Sequence, residues 1–252
     1  MTEQAPVLFD IVVPVGPNDI KHVSRQLACL HYAVGRRNIY VVTVAIDGVL
    51  PQFADCYTID EATFPFTLND VALRHGKRSR NGWYLQQMLK LYAGFVIDGI
   101  LDTYLVVDAD TYLQRPVEFI ADGKPMYTVG HEYNYPYFTH MVKLHPSLRR
   151  MNQEWSGISH HMVFTKKHLT HLFQLVEGVH GKKFWEVFFE QVVDYDMSGA
   201  SEYEIYFNFL LAYYPDEIAV RRLAWDNRPV AFLDDADTCS RYDYISCHHY
   251  LG

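Results

Sequence analysis

The 252-residue sequence predicts an α/β fold with a mostly parallel central sheet flanked by helices. Two observations carry that expectation. Through the first half, apolar runs of strand length alternate with stretches of helical apolar spacing, the order that builds a parallel sheet. No internal repeat or low-complexity linker interrupts the chain, so residues 1–252 read as one domain, with an irregular mix of strands and helices in its second half.

The elements follow in order. LFDIVVPV (8–15) reads as a buried strand closed by Gly16-Pro17, and KHVSRQLACLHYAV has helical spacing through Val23, Leu27, Leu30 and Val34. NIYVVTVAID is a second strand ending at Asp47-Gly48, and CYTIDEA a short third. A loop rich in Phe and Asn comes next. From Trp83, the residues Leu85, Met88, Leu89, Tyr92 and Val96 mark one face of a helix, with Gln86, Gln87 and Lys90 on others. TYLVVDAD and PMYTVG are strands, and residues 131–155 read as a long loop holding a short helix. SHHMVFTKK is a strand, followed by helices in KHLTHLFQLVEGV and KKFWEVFFEQVV. SEYEIYFNFLLAYYP is apolar nearly all round and therefore a buried helix. RRLAW, PVAFLDD and YDYISCHHY close the chain as short strands or extended segments.

The bulk numbers exclude some functions. A net charge of -8 argues against general nucleic-acid binding, which needs a basic surface, and the basic pairs are scattered. The four cysteines, Cys29, Cys56, Cys239 and Cys247, lack CxxC spacing, which argues against a zinc knuckle or disulfide framework and for reduced thiols. MTEQAPVLFDIVVPV has no basic n-region, and Asp10 and Pro14 interrupt its apolar run, so it does not read as a secretory signal. No window is apolar enough to span a bilayer. The expected compartment is the cytoplasm, with peripheral membrane association left open.

The chemistry concentrates in TYLVVDADTYL, 103–113. Residues i and i+2 of a strand share a face, so Asp108 and Asp110 would stand side by side and repel. A divalent cation or shared protons must relieve that repulsion.

An apolar strand, DxD and a nearby proline (VVDADTYLQRP) resemble the metal-binding region of GT-A nucleotide-sugar glycosyltransferases, including little-characterised bacterial and viral families. Companion stretches strengthen the likeness: VVPVGP resembles the nucleotide-facing strand (Val13, Pro14, Val15), and AIDG the place where an acid, Asp47, meets uridine. RNGWYLQQMLKLY resembles the helix that approaches the diphosphate, through Trp83, Gln87 and Lys90. SCHHY resembles the C-terminal strand that brings a histidine. The resemblance implies a GT-A-like, hexosyltransferase-like enzyme, with 1–110 as the nucleotide-binding half and 111–252 as the acceptor half. It also implies a UDP-sugar donor, Mn²⁺ or Mg²⁺, and a glycan or lipid-linked acceptor. A cation there would neutralise the diphosphate leaving group as a Lewis acid. Asp110 is the closer ligand, Asp108 touches ribose and metal, and a third ligand comes from His248 or His249, with His248 preferred; a histidine tilts the choice toward Mn²⁺.

Each assignment has a plainer counterpart. Asp47 can be the first residue of an Asp-Gly turn. Lys77, Arg78 and Arg80 read better as a surface loop than as phosphate ligands, and Trp155 and His161 better as core than as hexose contacts. Ser201 and Glu204 form a capping box, which leaves Glu202 without that duty; its plainer role is to complement the helix dipole, while the resemblance implies that in an inverting enzyme it is the base that deprotonates an acceptor, kept ionised by the helix N-terminus. Asp194 and Asp196 are weaker candidates for that task. The rival function is a haloacid-dehalogenase-type phosphohydrolase, since DADT also fits the motif DxDxT, with Asp108 as nucleophile, Asp110 as acid/base and FLDDAD (232–237) as a later acidic motif. Against it, about a hundred residues of α/β chain precede the motif, and TYLQRP replaces the expected glycine turn. A catalytically silent carbohydrate-binding protein would show no metal-dependent nucleotide affinity.

Overall fold

The structure, a computed structural model, describes residues 8–44, 53–234 and 240–248. Its principal sheet has five strands: β1 (Asp10–Pro14), β2 (Ile39–Thr43), β3 (Cys56–Asp60), β4 (Thr103–Val107) and β8 (His161–Thr165). They lie in the order β3-β2-β1-β4-β8, all parallel except β8, which runs antiparallel to β4. The expected strand in SHHMVFTKK therefore turns a parallel sheet into a mixed one.

Strand alternation divides the core in two. Val12, Val42 and Val106 point to one face and pack with the helices α2 (Leu68–His75), α3 (Asn81–Val96), α4 (Tyr135–Leu144), α5 (Lys166–His180), α6 (Phe184–Gln191) and α7 (Glu202–Tyr213). Ile11, Val13, Val41, Leu105 and Val107 point to the other, against α1 (Ile20–Ala33). Period-two side chains on a doubly covered sheet give apolar strands on both faces. At the far end of β1, Asp10 is fully buried, and Arg37 donates to it from Nε at 2.9 Å and Nη2 at 2.6 Å.

Two smaller sheets frame the carboxyl end of β4. The short strand β5 (Thr111–Leu113) follows the two aspartates, pairs antiparallel with β11 (Tyr244–Ser246), and β11 pairs parallel with β10 (Trp225–Asn227). In the other, β7 (Lys124–Thr128) lies between β6 (Ile120–Ala121) and β9 (Ala219–Arg221).

Three expectations need correction. The loop expected after β3 contains α2: the Thr67 hydroxyl accepts from the Asp70 amide, and the Asp70 carboxylate accepts from the Thr67 amide at 2.8 Å, a reciprocal cap that starts a helix with little apolar signal of its own. PVAFLDD is largely a 3-10 helix, Val230–Asp234, rather than a strand. The cap of α7 is half-made: Ser201 accepts from the Glu204 amide at 3.3 Å, but the Glu204 carboxylate takes the Ser156 hydroxyl at 2.6 Å and Asn208 at 2.9 Å.

Gly157 lets the segment before β8 lie directly on α7. A Cβ there would stand 2.7 Å from Phe207 Cβ and 3.0 Å from the Tyr203 carbonyl. Gly157→Ala is expected to cost about 1–3 kcal/mol by overpacking, read from urea unfolding. A second expectation concerns acid. Burial pulls His140 down to about 4 and His161 down to about 3, so both rings stay neutral in the fold while the unfolded chain takes up protons near pH 6.5. Their contribution is complete above pH 6.5 and is lost as pH falls toward those values. Between pH 7.5 and 4.5, His140 alone should account for about 2–3 kcal/mol of lost stability, and His140→Gln should remove that part of the slope.

Candidate active site

A cleft of about 580 Å³ opens at the carboxyl end of β4. In the order β3-β2-β1-β4-β8 the sheet grows from β1 in two directions, and the crevice beside such a switch point is where open α/β sheets bind ligands. Three elements build its walls: the turn after β4 with Asp108 and Asp110, one face of α3 with Trp83, Gln86 and Lys90, and the start of α7 with Glu202 and Tyr203. Trp83, Gln86 and Lys90 stand at i, i+3 and i+7, one face of the helix. Tyr84, on the buried side, donates to the carbonyls of Asp194 and Met197 and accepts from the Gly199 amide, fixing the loop that brings Ser198 to the rim.

Lys90 is the electrostatic centre. The residue is buried at 3 % exposure, and its ammonium donates to Asp108 Oδ1 at 2.5 Å and Glu202 Oε1 at 2.7 Å, 4.5 Å from the centre of the Tyr203 ring. Burial alone would lower the lysine and raise both carboxyls. The two carboxylates outweigh burial at Lys90, which titrates above its ordinary range. Burial would likewise raise Asp108, but Lys90 and His160 hold it well below the usual carboxylate range. For Glu202 burial wins, and its acid is raised despite Lys90, so desolvation rather than the helix N-terminus dominates there. Tyr203 adds a second donor to Asp108 Oδ1 at 2.7 Å, and His160 Nδ1 lies 3.4 Å from Oδ2.

Asp110 faces the opposite wall. His248 Nδ1 donates to its Oδ2 at 2.8 Å and Ser246 Oγ to its Oδ1 at 3.3 Å. The Cys247 amide also donates to the Asp110 carbonyl at 2.8 Å, so β11 and the aspartate turn are joined through backbone and side chains. This contact is a hydrogen bond, and it places both side chains at the cleft within reach of one small divalent cation, which His248 would bind only once Nδ1 gives up the proton it donates to Asp110. Asp108 differs, because Lys90, Tyr203 and His160 already face both its oxygens. Among the described residues no group of three or more His, Cys, Asp and Glu side chains is arranged to hold a metal by itself. A cation here would need further oxygens from its substrate or from water.

Residues 9–226 match DUF6492, a family described as of unknown function. The chain belongs to the DUF6492 family. No functionally curated protein matches this DUF6492 chain in sequence. Among solved structures, the crystal structure of mouse xyloside xylosyltransferase 1 in its apo form is similar, with a TM-score of 0.50 and 13% identity over 98% of this chain and 99% of that one. At that identity the likeness is one of fold, and it agrees with the GT-A-like α/β architecture expected from the sequence.

The structure gathers Trp83, Lys90, Asp108, Asp110, Glu202 and His248 around the cleft. Val13, Pro14 and Val15 are buried and do not line it; Pro14 reaches it only by accepting from Gln86 at 3.2 Å. Gln87 lies behind the wall, where its Oε1 accepts from the Glu202 amide at 3.0 Å and so caps α7. Asp47 and His249 lie outside the described residues. Asp196 pairs with Arg78 on the surface, and Asp194 accepts from the Met197 amide. His161 is a core residue beside Thr128, and Trp155 packs against the core. Sequence reasoning missed His160, Tyr203, Ser198 and Asp19. His160 precedes β8 with a left-handed backbone, so strand alternation gave no signal for it. Arg80, read as surface loop, lines the cleft with its guanidinium 5.4 Å from the Trp83 ring centre.

Lys90→Met would leave two carboxylates buried together. The expected cost is about 3–5 kcal/mol at pH 7.5 by urea unfolding. Without Lys90 both folded-state pKa values rise, so the deficit is largest above them and shrinks as pH falls through them. Adding Glu202→Gln should recover much of the loss.

Proposed function

We propose that this protein is a metal-dependent glycosyltransferase that moves a sugar from a UDP-sugar to a hydroxyl of a glycan or lipid-linked acceptor. One observation carries the reading. At the switch point of a GT-A-like sheet, Asp110 meets His248, which follows the C-terminal strand, at hydrogen-bond distance inside a cleft of about 580 Å³. The fold similarity to mouse xyloside xylosyltransferase 1, a protein named for sugar transfer, supports it.

On this reading Asp110 and His248 would hold Mn²⁺ or Mg²⁺. The cation, when bound, neutralises the departing diphosphate as a Lewis acid. Asp108, kept ionised by Lys90, orients the ribose and the turn that carries Asp110. Trp83 and Arg80 flank the nucleotide side. Glu202, with its acid raised by burial, takes the proton of the acceptor hydroxyl. The chain acts as one unit, with residues 1–110 serving the nucleotide and 111–252 the acceptor. From the sequence we place it in the cytoplasm; no helix among the described residues is long and apolar enough to cross a membrane.

The phosphohydrolase reading lacks comparable support. A nucleophilic Asp108 needs an oxygen directed at the substrate, whereas its Oδ1 accepts from both Lys90 and Tyr203 and its Oδ2 faces His160.

Titration calorimetry with UDP tests the proposal. Binding is expected with Mn²⁺ and weakened at least tenfold without it, and both Asp110→Ala and His248→Ala should lose the metal-dependent part. A donor panel of UDP-hexoses and UDP-xylose would then identify the sugar. No nucleotide binding, with Mg²⁺-dependent phosphate release from p-nitrophenyl phosphate, would overturn the reading.

A further inference from the structure

His160 stands where the parts of the cleft floor meet, immediately before β8. Its backbone has φ 58°, in the left-handed region; among the described non-glycine residues only Asp122 shares a positive φ. Histidine tolerates that conformation better than most residues but at a cost, and such strain gathers at functional sites. Here the turn directs two parts of one residue to a single partner. The His160 carbonyl accepts from the Asp108 amide at 2.9 Å, while Nδ1 lies 3.4 Å from Asp108 Oδ2.

The ring touches more than Asp108. It meets Trp225 edge-on, with centroids 5.1 Å apart at 76°, and His248 with centroids 5.2 Å apart at 60°. Trp225 stacks on Tyr244 at 5.5 Å and 7°, so the ring leans on a fixed wall made by β10 and β11. His160 is therefore wedged between the carboxylate that Lys90 anchors and the imidazole that faces Asp110.

We propose that His160 is a positioning residue, whose ring sets the spacing between Asp108 and the Asp110–His248 pair that receives the cation and the donor diphosphate. This rests on the transferase reading above. Ring and backbone can be separated by substitution. His160→Gly removes the ring and relieves the left-handed backbone; His160→Asn keeps a side chain that accepts this backbone but is too short to wedge the two partners.

The experiment measures thermal unfolding of the metal-free protein and calorimetric affinity for UDP with Mn²⁺, in wild type and both variants. The expected result is a Tm within about 3 °C of wild type in both variants, together with Mn²⁺-dependent UDP affinity reduced about 10- to 100-fold, the range for lost outer-shell support of a metal site. UDP affinity in the absence of metal should change less than threefold. Affinity with Mn²⁺ within twofold of wild type would overturn the inference and leave the transferase reading standing. A Tm that drops together with affinity for UDP both with and without metal would also overturn it, since it would mark a merely structural role. A wild type that binds no UDP under either condition would instead remove the transferase reading, and this inference with it.

Discussion

One ammonium group, buried between two carboxylates, is the constraint on which the cleft depends. Asp108 Oδ1 and Glu202 Oε1 both bond Lys90 Nζ, at 2.5 and 2.7 Å, so they stand no more than about 5 Å apart. Two carboxylates at that distance repel by about 3 kcal/mol at an effective dielectric of 20, before the cost of drying them is counted. Lys90 reverses the sign of that interaction. In doing so it fixes the distance between the end of β4 and the start of α7, elements nearly a hundred residues apart in sequence.

The neighbouring contacts show how the fold secures this arrangement. Gln87 gives its oxygen to the first amide of α7, one turn before the lysine on α3. Tyr104 on β4 donates to the Lys90 carbonyl at 3.1 Å, so the strand that carries Asp108 also grips the backbone that carries its counter-ion. Tyr203 presents its ring to the ammonium and its hydroxyl to Asp108. Helix α7 is buried from Glu202 to Leu210, where it meets the sheet, the loop before β8, the charged centre and helices α3, α4 and α5.

Much of the fold was legible in the sequence because alternation and helical spacing report burial, and burial is what those patterns measure. The five strands of the principal sheet and the helices in KHVSRQLACLHYAV, KHLTHLFQLVEGV and SEYEIYFNFLLAYYP all arose from that signal. Helix α2 was missed because its definition lies in a cap, Thr67 with Asp70, rather than in an apolar stripe. The candidate site divides along similar lines. Asp108 and Asp110 announce themselves, since paired carboxylates after an apolar strand require an explanation. Gln87 and Lys90 lie three residues apart on one helix, and no pattern in the sequence says that one would cap a distant helix while the other neutralises two acids. His160 and Tyr203 take their places from backbone turns and packing, which spacing does not encode.

The distance along the chain between Asp110 and His248 has a consequence for how the protein is made. These partners are 138 residues apart in sequence. Strand β5 finds its neighbour only when β11 arrives, so the loop-closure entropy for this corner is among the largest in the molecule. The sheet order β3-β2-β1-β4 can assemble from the earlier chain, but the corner that faces Asp110 must wait for residues beyond 240. Assembly of most of the fold and completion of the cleft are thus separate events in time, and a growing chain can bury much of its hydrophobic core before the cleft gains its last wall.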